Sequence, residues 1–316
     1  MRPIIVRLPN WVGDVVMALP ALSHLSQAGL APLLVGRAWA QPLLAAYGWE
    51  IHPRAATLRA RVAQLNQLHR RAAQLDEQFG RRLNTLLLTN SFSSAFEAWL
   101  ARLRAVGYRQ DGRGWLLSAP VPQPAEPVHE STRFWRLATT LSGNETPQPA
   151  QVRLKIAPLA QQAADALLAQ HALGGDFACI VPFATGTMKG QDKAWPGFAA
   201  LARWLRQKLP VVVVPGPGEV EAAQRDFGGA ICLPGVDLGV YAGILRRARL
   251  VIANDTGPGH IAAAVGAPLI SVLGPTDATR YRPWGQQVSL LQGDPWPMLE
   301  QVSAEARRLL DVVPRH

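Results

Sequence analysis

The stretch "RLVIANDTGPGHIAAAVGAPLISVLGPTD", residues 249–277, contains a complete strand–helix–strand pattern. A buried apolar run ends at Ala253, and a polar, glycine-rich turn follows over 254–259. A helix of small residues then begins near His260, and a second apolar run ends in the turn 274–277. Two apolar strands joined by a short helix predict a parallel βαβ unit.

The same alternation extends through both halves of the chain. Apolar runs such as "PIIVRL", "PLLVG" and "NTLLLTN" in the first half, and "FACIVPFAT" and "PVVVVPG" in the second, alternate with helical patterns. The proline-rich segment 118–128 is predicted to be a loop, 129–142 a helix, and "SGNETPQPAQ" a linker. We therefore predict an α/β protein with two doubly wound parallel sheets, in domains 1–150 and 151–316, with a ligand cleft between them. The C-terminal segment "LEQVSAEARRLLDVV" is predicted to be a helix and is a candidate to pack back on the first domain.

The composition is that of a globular protein. Of 316 residues, 48% are hydrophobic and 17% charged, and both cysteines lie in apolar runs, so no disulfide framework is expected. No apolar run approaches the roughly 20 residues that span a bilayer, and the first strand pattern begins too early for a signal peptide. We therefore expect a cytoplasmic protein without a transmembrane segment.

The net positive charge lies almost entirely in the first half. Residues 1–156 hold 18 basic against 9 acidic residues, and 17 of the 18 are arginine, whereas the remainder holds 14 against 13. Arginine favours bidentate pairing with phosphate or carboxylate, so the first half is expected to bind an anionic partner. A generally arginine-rich composition is the alternative. Nucleic-acid motifs are absent, and no nucleic-acid partner is predicted.

The turn in 249–277 suits a phosphate group. Free backbone N–H groups at a helix start bind anions, and His260 in the first turn is placed to reach the same group. Asp255 at the strand tip is suited to accept hydrogen bonds from sugar hydroxyls. The alternative is that Asp255 or Thr256 only caps the helix and that His260 lies on the surface.

Two other strand ends carry polar residues. In "VVVVPGPGEVE", residues 211–221, Glu219 or Glu221 is placed to hold a ribose diol, although a tight turn with an acidic first helical turn is the alternative. In "PFATGTMKGQDKAWPGF", residues 182–198, a lysine is suited to neutralise a leaving diphosphate. Lys193 is the better candidate, because Lys189 fits a solvated loop.

The stretch "LPNWVGDVVMALPAL", residues 8–22, places Asp14 where a strand passes into a helix. Asp14 either caps this helix or acts as a base, and the base role gains weight because the second half offers no obvious one. Gly13 would permit a tight turn, and Trp11 would line the acceptor side or pack beneath it. No metal-binding or cofactor motif is present, so neither a metal nor a cofactor is expected.

Together these segments resemble the ADP-heptose–lipopolysaccharide heptosyltransferases of glycosyltransferase family 9. The resemblance rests on "WVGD" (11–14), "DKAWP" (192–196), "GPGEVE" (216–221), "NDTGPGHIAAAVGAP" (254–268) and "GPTD" (274–277). The form "WVGD" is more similar to heptosyltransferase II than to I. The resemblance implies a GT-B fold, in which two Rossmann-like domains face a central cleft.

The resemblance also implies the reaction and the residues that perform it. The reaction would be an inverting, metal-independent transfer of heptose from ADP-L-glycero-D-manno-heptose to the inner core of lipopolysaccharide. The implied catalytic residues are Asp14 as general base and Lys193. The implied nucleotide-sugar ligands are Thr185, Thr187, Lys193, Glu219, Glu221, Asp255, Thr256, Gly257 and His260. The implied acceptor-binding residues are Trp11, Arg54, Arg59 and Arg61.

The expected protein is a cytoplasmic monomer, peripheral at the inner face of the membrane, whose partners are the donor and the lipopolysaccharide core. Two other functions stay open. One is a GT-B enzyme that uses a different nucleotide sugar or catalyses epimerisation. The other is a non-catalytic basic module that binds nucleic acid or anionic membrane.

Overall fold

The computed structural model describes residues 1–184, 187–188 and 191–312. The chain divides into two compact units. The first consists of Met1–Gln41 and Tyr47–Ala150, and the second of Pro42–Ala46 and the chain from Gln151 onward.

The first unit contains a parallel sheet of six strands in the described chain, in the order β3-β2-β1-β4-β5-β6. This is the strand order of the Rossmann fold, in which the sheet is wound in two directions from its first strand. The strands are β1 (Arg2–Arg7), β2 (Leu30–Gly36), β3 (Glu50–Pro53), β4 (Thr85–Leu87), β5 (Ala105–Tyr108) and β6 (Ala119–Val121). The helices up to the linker are α1 (Val12–Met17), α2 (Leu19–Gln27), α3 (Ala40–Leu44), α4 (Leu58–Leu75), α5 (Phe92–Leu100) and α6 (Glu130–Ser142).

The second unit repeats this topology. Its six described sheet strands follow the order β11-β10-β7-β12-β13-β14, again all parallel. The strands are β7 (Ala178–Val181), the two-stranded hairpin β8 (Thr187–Met188) and β9 (Gln191–Asp192), β10 (Val211–Val213), β11 (Ile231–Cys232), β12 (Leu250–Asn254), β13 (Leu269–Leu273) and β14 (Val288–Gln292). The helices are α7 (Pro158–Gln170), α8 (Phe198–Leu205), α9 (Val220–Asp226), α10 (Leu238–Arg247), α11 (Gly257–Val265), α12 (Ala278–Tyr281) and α13 (Leu299–Val312).

The central strands are apolar because helices cover both faces of a parallel sheet. β12 and β13 are buried along their whole length, as the apolar runs in 249–277 predict. The C-terminal helix α13 forms as predicted, and Val302, Ala306 and Leu310 lie in the hydrophobic core of the second unit.

The sequence-based prediction of segment 118–128 as a loop is wrong for three residues. Ala119–Val121 forms the edge strand β6, in which Pro120 pairs with Gly107. Proline has no N–H to donate, so it is tolerated at the edge of a sheet, where a second partner strand is absent. The helix α7 and β14, an edge strand of the second sheet, were also not predicted from the sequence. None of the helices in the described part of the chain combines the length and the apolar character that crossing a bilayer requires.

Candidate active site

Three loops at the carboxyl end of the second sheet place their polar side chains around Asp255. Lys193 donates from Nζ to Asp255 Oδ2 at 2.9 Å, and Thr276 Oγ1 donates to the same oxygen at 2.9 Å. His260 Nε2 lies 3.8 Å from Asp255 Oδ1, which is longer than a hydrogen bond. The structure thus brings together three residues predicted from the sequence, Lys193, Asp255 and His260. Thr276 was missed as a site residue, although it lies in the "GPTD" motif.

The preceding residue, Asn254, ties these loops to one another. Its Nδ2 donates to Pro182 O at 2.7 Å, and its Oδ1 accepts from Trp195 N at 3.0 Å. Asn254 is fully buried, so loss of either bond would leave an unsatisfied polar group in the interior. Asn254 therefore fixes the loop that carries Lys193 against the strand tip that carries Asp255.

The surroundings of Asp255 keep its carboxyl group ionised. Burial of the carboxyl opposes ionisation, but the nearby His260 and Lys193 outweigh burial and lower its pKa to about 2. At neutral pH, Lys193 and Asp255 therefore form an ion pair whose side chains are mostly buried.

Asp255→Asn should destabilise the protein in a pH-dependent way. A pKa lower in the folded than in the unfolded state stabilises the fold above about pH 4, and this contribution is lost as the pH falls towards 2. The variant should therefore be about 2 kcal/mol less stable than the wild type at neutral pH, with the difference shrinking at pH 3. Urea unfolding at a series of pH values measures this. A difference independent of pH would contradict the assignment.

The start of α11 is capped by a side chain. Thr256 occupies the N-cap position, and its side chain accepts from Gly259 N at 3.4 Å. Gly257 is the first residue of the helix. The capping alternative considered for Thr256 is thus observed, whereas the alternative of a surface position for His260 is wrong, because His260 is buried. Its ring packs towards Asp255 instead of solvent.

The other residues predicted to bind the nucleotide sugar lie after β7 and β10, and not all of them are among the described residues. Glu219 lies before α9, and its Oε2 accepts from Gly216 N at 2.7 Å, which closes the Gly-Pro-Gly turn. Glu221 is exposed in the first turn of α9. Thr185 lies outside the described residues, as does Lys189, and only the backbone of Thr187 is described, in β8.

In the first unit, Asp14 lies in the first turn of α1, just beyond the carboxyl end of β1. The interpretation of Asp14 as the helix cap is wrong, because Trp11 occupies the N-cap position and makes no side-chain capping bond. The carboxylate is half-buried, and the Trp11 side chain is 65% exposed. Asp14 therefore stands at the edge of the sheet where α/β proteins bind ligands.

Arginines gather at this same edge of the first sheet. Glu97 on α5 is 2% exposed and accepts from Arg61 Nε at 2.7 Å and from an Arg54 terminal nitrogen at 3.3 Å. Arg7, at the end of β1, is also buried and donates to Leu8 O, Val35 O and the side chain of Asn10. We call Arg7, Arg54, Arg61 and Glu97 the arginine cluster.

The arginine cluster contains three arginines but only one acidic residue, Glu97. Burial, and after it repulsion from Arg54, lowers the pKa of the Arg7 guanidinium to about 10, despite attraction from Glu97. The Nε atoms of Arg7 and Arg54 are buried without a hydrogen-bond partner among the described residues. Three guanidinium groups around one carboxylate leave the arginine cluster with a net positive charge. Arg59, the third predicted acceptor-binding arginine, is exposed on α4.

Glu97→Gln should strongly destabilise the first unit. The change leaves Arg54 and Arg61 without their anionic partner in a mostly buried site, where breaking one ion pair costs about 3 kcal/mol. Urea unfolding followed by circular dichroism measures the loss. Glu77→Gln, at an exposed site in the same unit, is the matched control and should leave the stability unchanged. Equal stability of both variants would show that the arginine cluster does not depend on Glu97.

Among the described residues, no group of three or more His, Cys, Asp or Glu side chains is arranged to hold a metal ion. The two cysteines are free thiols, and Cys179 is buried.

The sequence model of the family named glycosyltransferase family 9 (heptosyltransferase) matches residues 73–308, which is more than half of the chain. The chain belongs to glycosyltransferase family 9. This family membership makes it a glycosyltransferase, as the sequence motifs predict.

Individual family 9 relatives match nearly the whole length. The lipooligosaccharide heptosyltransferase 2 of Haemophilus ducreyi is 26% identical, over 97% of this chain and 94% of the relative. The solved structure of E. coli ADP-heptose lps heptosyltransferase II has a TM-score of 0.77 at 22% identity, and 98% of each chain is covered. E. coli heptosyltransferase WaaC with ADP has a TM-score of 0.71 at 21% identity, covering 98% of this chain and all of that one. The predicted α/β GT-B fold with two Rossmann-like sheets is confirmed.

Proposed function

We propose that this family 9 enzyme transfers heptose from ADP-L-glycero-D-manno-heptose to the inner core of lipopolysaccharide, with inversion and without a metal ion. The observation that carries the proposal is the position of Lys193, held by Asp255 beside the start of α11. The name of two relatives, lipooligosaccharide heptosyltransferase 2, supports heptose transfer to an acceptor of this class. The similarity to E. coli ADP-heptose lps heptosyltransferase II supports ADP-heptose as the donor.

On the donor side, the leaving diphosphate would bind between Lys193 and the start of α11. The ammonium group and the helix N-terminus are both positive, and both stabilise the charge that develops on the departing ADP. Thr256 and Gly257 would contribute at the helix start, with His260 beneath them. Asp255 would hold Lys193 in place and contact the donor sugar.

The remaining donor contacts follow from the family motifs. Glu219 or Glu221 would hold the ribose diol, since both lie at the turn after β10. Thr185 and Thr187, which follow β7 in the sequence, would contact the nucleotide sugar. No cofactor is required, because ADP-heptose is itself the activated substrate.

On the acceptor side, Asp14 would be the general base. Its carboxylate removes the proton of the acceptor hydroxyl while the hydroxyl oxygen attacks C1 of heptose from the face opposite the diphosphate. The C1–O bond to ADP breaks, and its electron pair leaves with the diphosphate. A single displacement of this kind inverts the configuration at C1.

The arginine cluster would position the acceptor. Arg54 and Arg61, together with exposed Arg59, would bind phosphates or acidic sugars of the lipopolysaccharide core, and Trp11 would contact its sugar rings. The acceptor is anchored in lipid, so we propose that the enzyme works at the inner face of the cytoplasmic membrane. We also propose that it is a monomer.

Donor profiling tests the proposed function. Calorimetry with ADP, UDP and GDP should give clear binding only for ADP, and purified lipopolysaccharide acceptor should gain heptose only from ADP-heptose. Preference for UDP would favour an enzyme that uses another nucleotide sugar or catalyses epimerisation. Salt-dependent binding to DNA or vesicles without any nucleotide affinity would favour a non-catalytic basic module.

A further inference from the structure

An unusual cluster of aromatic side chains lies on the surface of the first unit. It consists of Phe92, Phe96 and Trp99 on α5 and Trp115 in the segment after β5, and we call these four residues the aromatic patch. Each ring contacts two others, with centroid distances of 6.0–6.5 Å. Trp115 is 69%, Trp99 49% and Phe92 43% exposed.

Helix α5 is turned so that its large side chains face outward. Ala95 and Ala98 are buried in the hydrophobic core, and Ala101 follows them on the same face. Phe92, Phe96 and Trp99 recur at helical spacing on the opposite face, where only Phe96 is partly covered by the core. The small inward residues let the helix lie close to the sheet. The outward aromatic residues are therefore not needed to hold α5 in the fold.

A contiguous apolar surface of this kind marks a binding site more often than chance exposure. The exposed arginines near the aromatic patch favour an anionic partner. Arg102 lies two residues after the end of α5, and its backbone N–H donates to Trp99 O. Arg109 lies beside Gly114, the residue that precedes Trp115. Both arginines are exposed, as is Arg104, and Asp111 is the one acidic residue between Trp99 and Trp115 in the sequence.

We propose that the aromatic patch binds the interface of a bilayer containing anionic phospholipids. Trp and Phe rings insert at the level of the headgroups and acyl boundary, and the flanking arginines pair with lipid phosphates. The proposal deepens the proposed function, because a lipid-anchored acceptor would present its sugars near this surface. The two ideas can fail separately, since vesicle binding requires neither donor nor acceptor.

The patch also begins at the edge of the sheet where the acceptor is expected to bind. Phe92 is the first residue of α5, and Glu97 on the same helix holds Arg54 and Arg61 on the protein side. One helix therefore carries the aromatic surface outward and supports the arginine cluster inward. An acceptor whose lipid stays in the bilayer would meet the arginine cluster beside the aromatic patch.

Vesicle flotation of the full chain tests the proposal. Vesicles of phosphatidylethanolamine with phosphatidylglycerol should bind the wild type, and binding should weaken with salt and be poor on pure phosphatidylcholine. The double variant Trp99→Gln/Trp115→Gln should bind at least about tenfold more weakly. Leu159→Gln, at an exposed apolar residue of α7 in the second unit, is the matched control and should bind like the wild type.

Two further measurements separate the other outcomes. Calorimetry with ADP and thermal melting should be the same for the double variant and the wild type, which shows that the fold is intact. Wild-type binding by the double variant would overturn the proposal. So would a dimer of the wild type that becomes monomeric in the variant without any vesicle binding, since the patch would then join two copies. If the variant binds vesicles weakly but neither protein transfers heptose, the membrane surface stands and the proposed function fails.

Discussion

Asp14→Asn is expected to reduce kcat for heptose transfer by about 10²–10⁴-fold, the usual contribution of a positioned general base. The amide has nearly the same shape as the carboxylate but does not accept the acceptor proton. Binding of ADP should be unchanged, because Asp14 lies in the first unit and the proposed diphosphate site in the second. Steady-state kinetics with ADP-heptose and a lipopolysaccharide acceptor, together with calorimetry of ADP, measure the two effects.

The matched control for this change is Glu126→Gln, which removes an exposed carboxylate from the same unit. It should leave kcat unchanged. Nearly full activity of Asp14→Asn would remove Asp14 from the role of base. A loss of ADP binding together with a lower melting temperature would instead indicate that Asp14 supports the fold.

Lys193→Ala is expected to lower kcat by about 10²–10³-fold, because a preorganised charge at the leaving group would be lost. The affinity for ADP should fall as well. The change also leaves Asp255 buried without its cationic partner, so the variant should be less stable than the wild type. Kinetics, calorimetry and urea unfolding on the same samples report the three effects.

A double variant separates catalysis from stability at this site. In Lys193→Ala/Asp255→Asn the uncompensated carboxylate is gone, so stability should recover relative to Lys193→Ala while kcat stays low. Lys208→Ala, at an exposed lysine of the second unit, should match the wild type in kcat and in ADP affinity. Recovery of turnover in the double variant would show that Lys193 acts only as the partner of Asp255.

The local pattern of the chain predicts most of the fold. Central strands such as β12 and β13 are continuous apolar runs, and both sheets have the Rossmann order that the βαβα alternation favours. The edge strand β6 was missed because it is short and contains Pro120, and β14 was missed because its residues are only partly buried, so both have a weak apolar signal.

Motif chemistry alone also selects the residues of the candidate site, but not their partners. Lys193 and Asp255 stand 62 residues apart in sequence, and each was predicted to face the substrate. The fold pairs them with each other. It also brings Thr276 to Asp255, and the buried Asn254 joins the neighbouring loops by hydrogen bonds. Such contacts join separate loops, so no spacing within one segment reveals them.

The sequence by itself determined the α/β class, the family and the strand ends that carry chemistry, because these depend on residue type and on local periodicity. Only the tertiary structure decided that Asp14 is not a cap, that Glu97 gathers Arg54 and Arg61, and that the aromatic side of α5 faces outward. In α5 both faces are apolar, so hydrophobicity does not distinguish them. The inward direction was set by side-chain volume, because alanines allow close packing on the sheet and the larger aromatic rings do not.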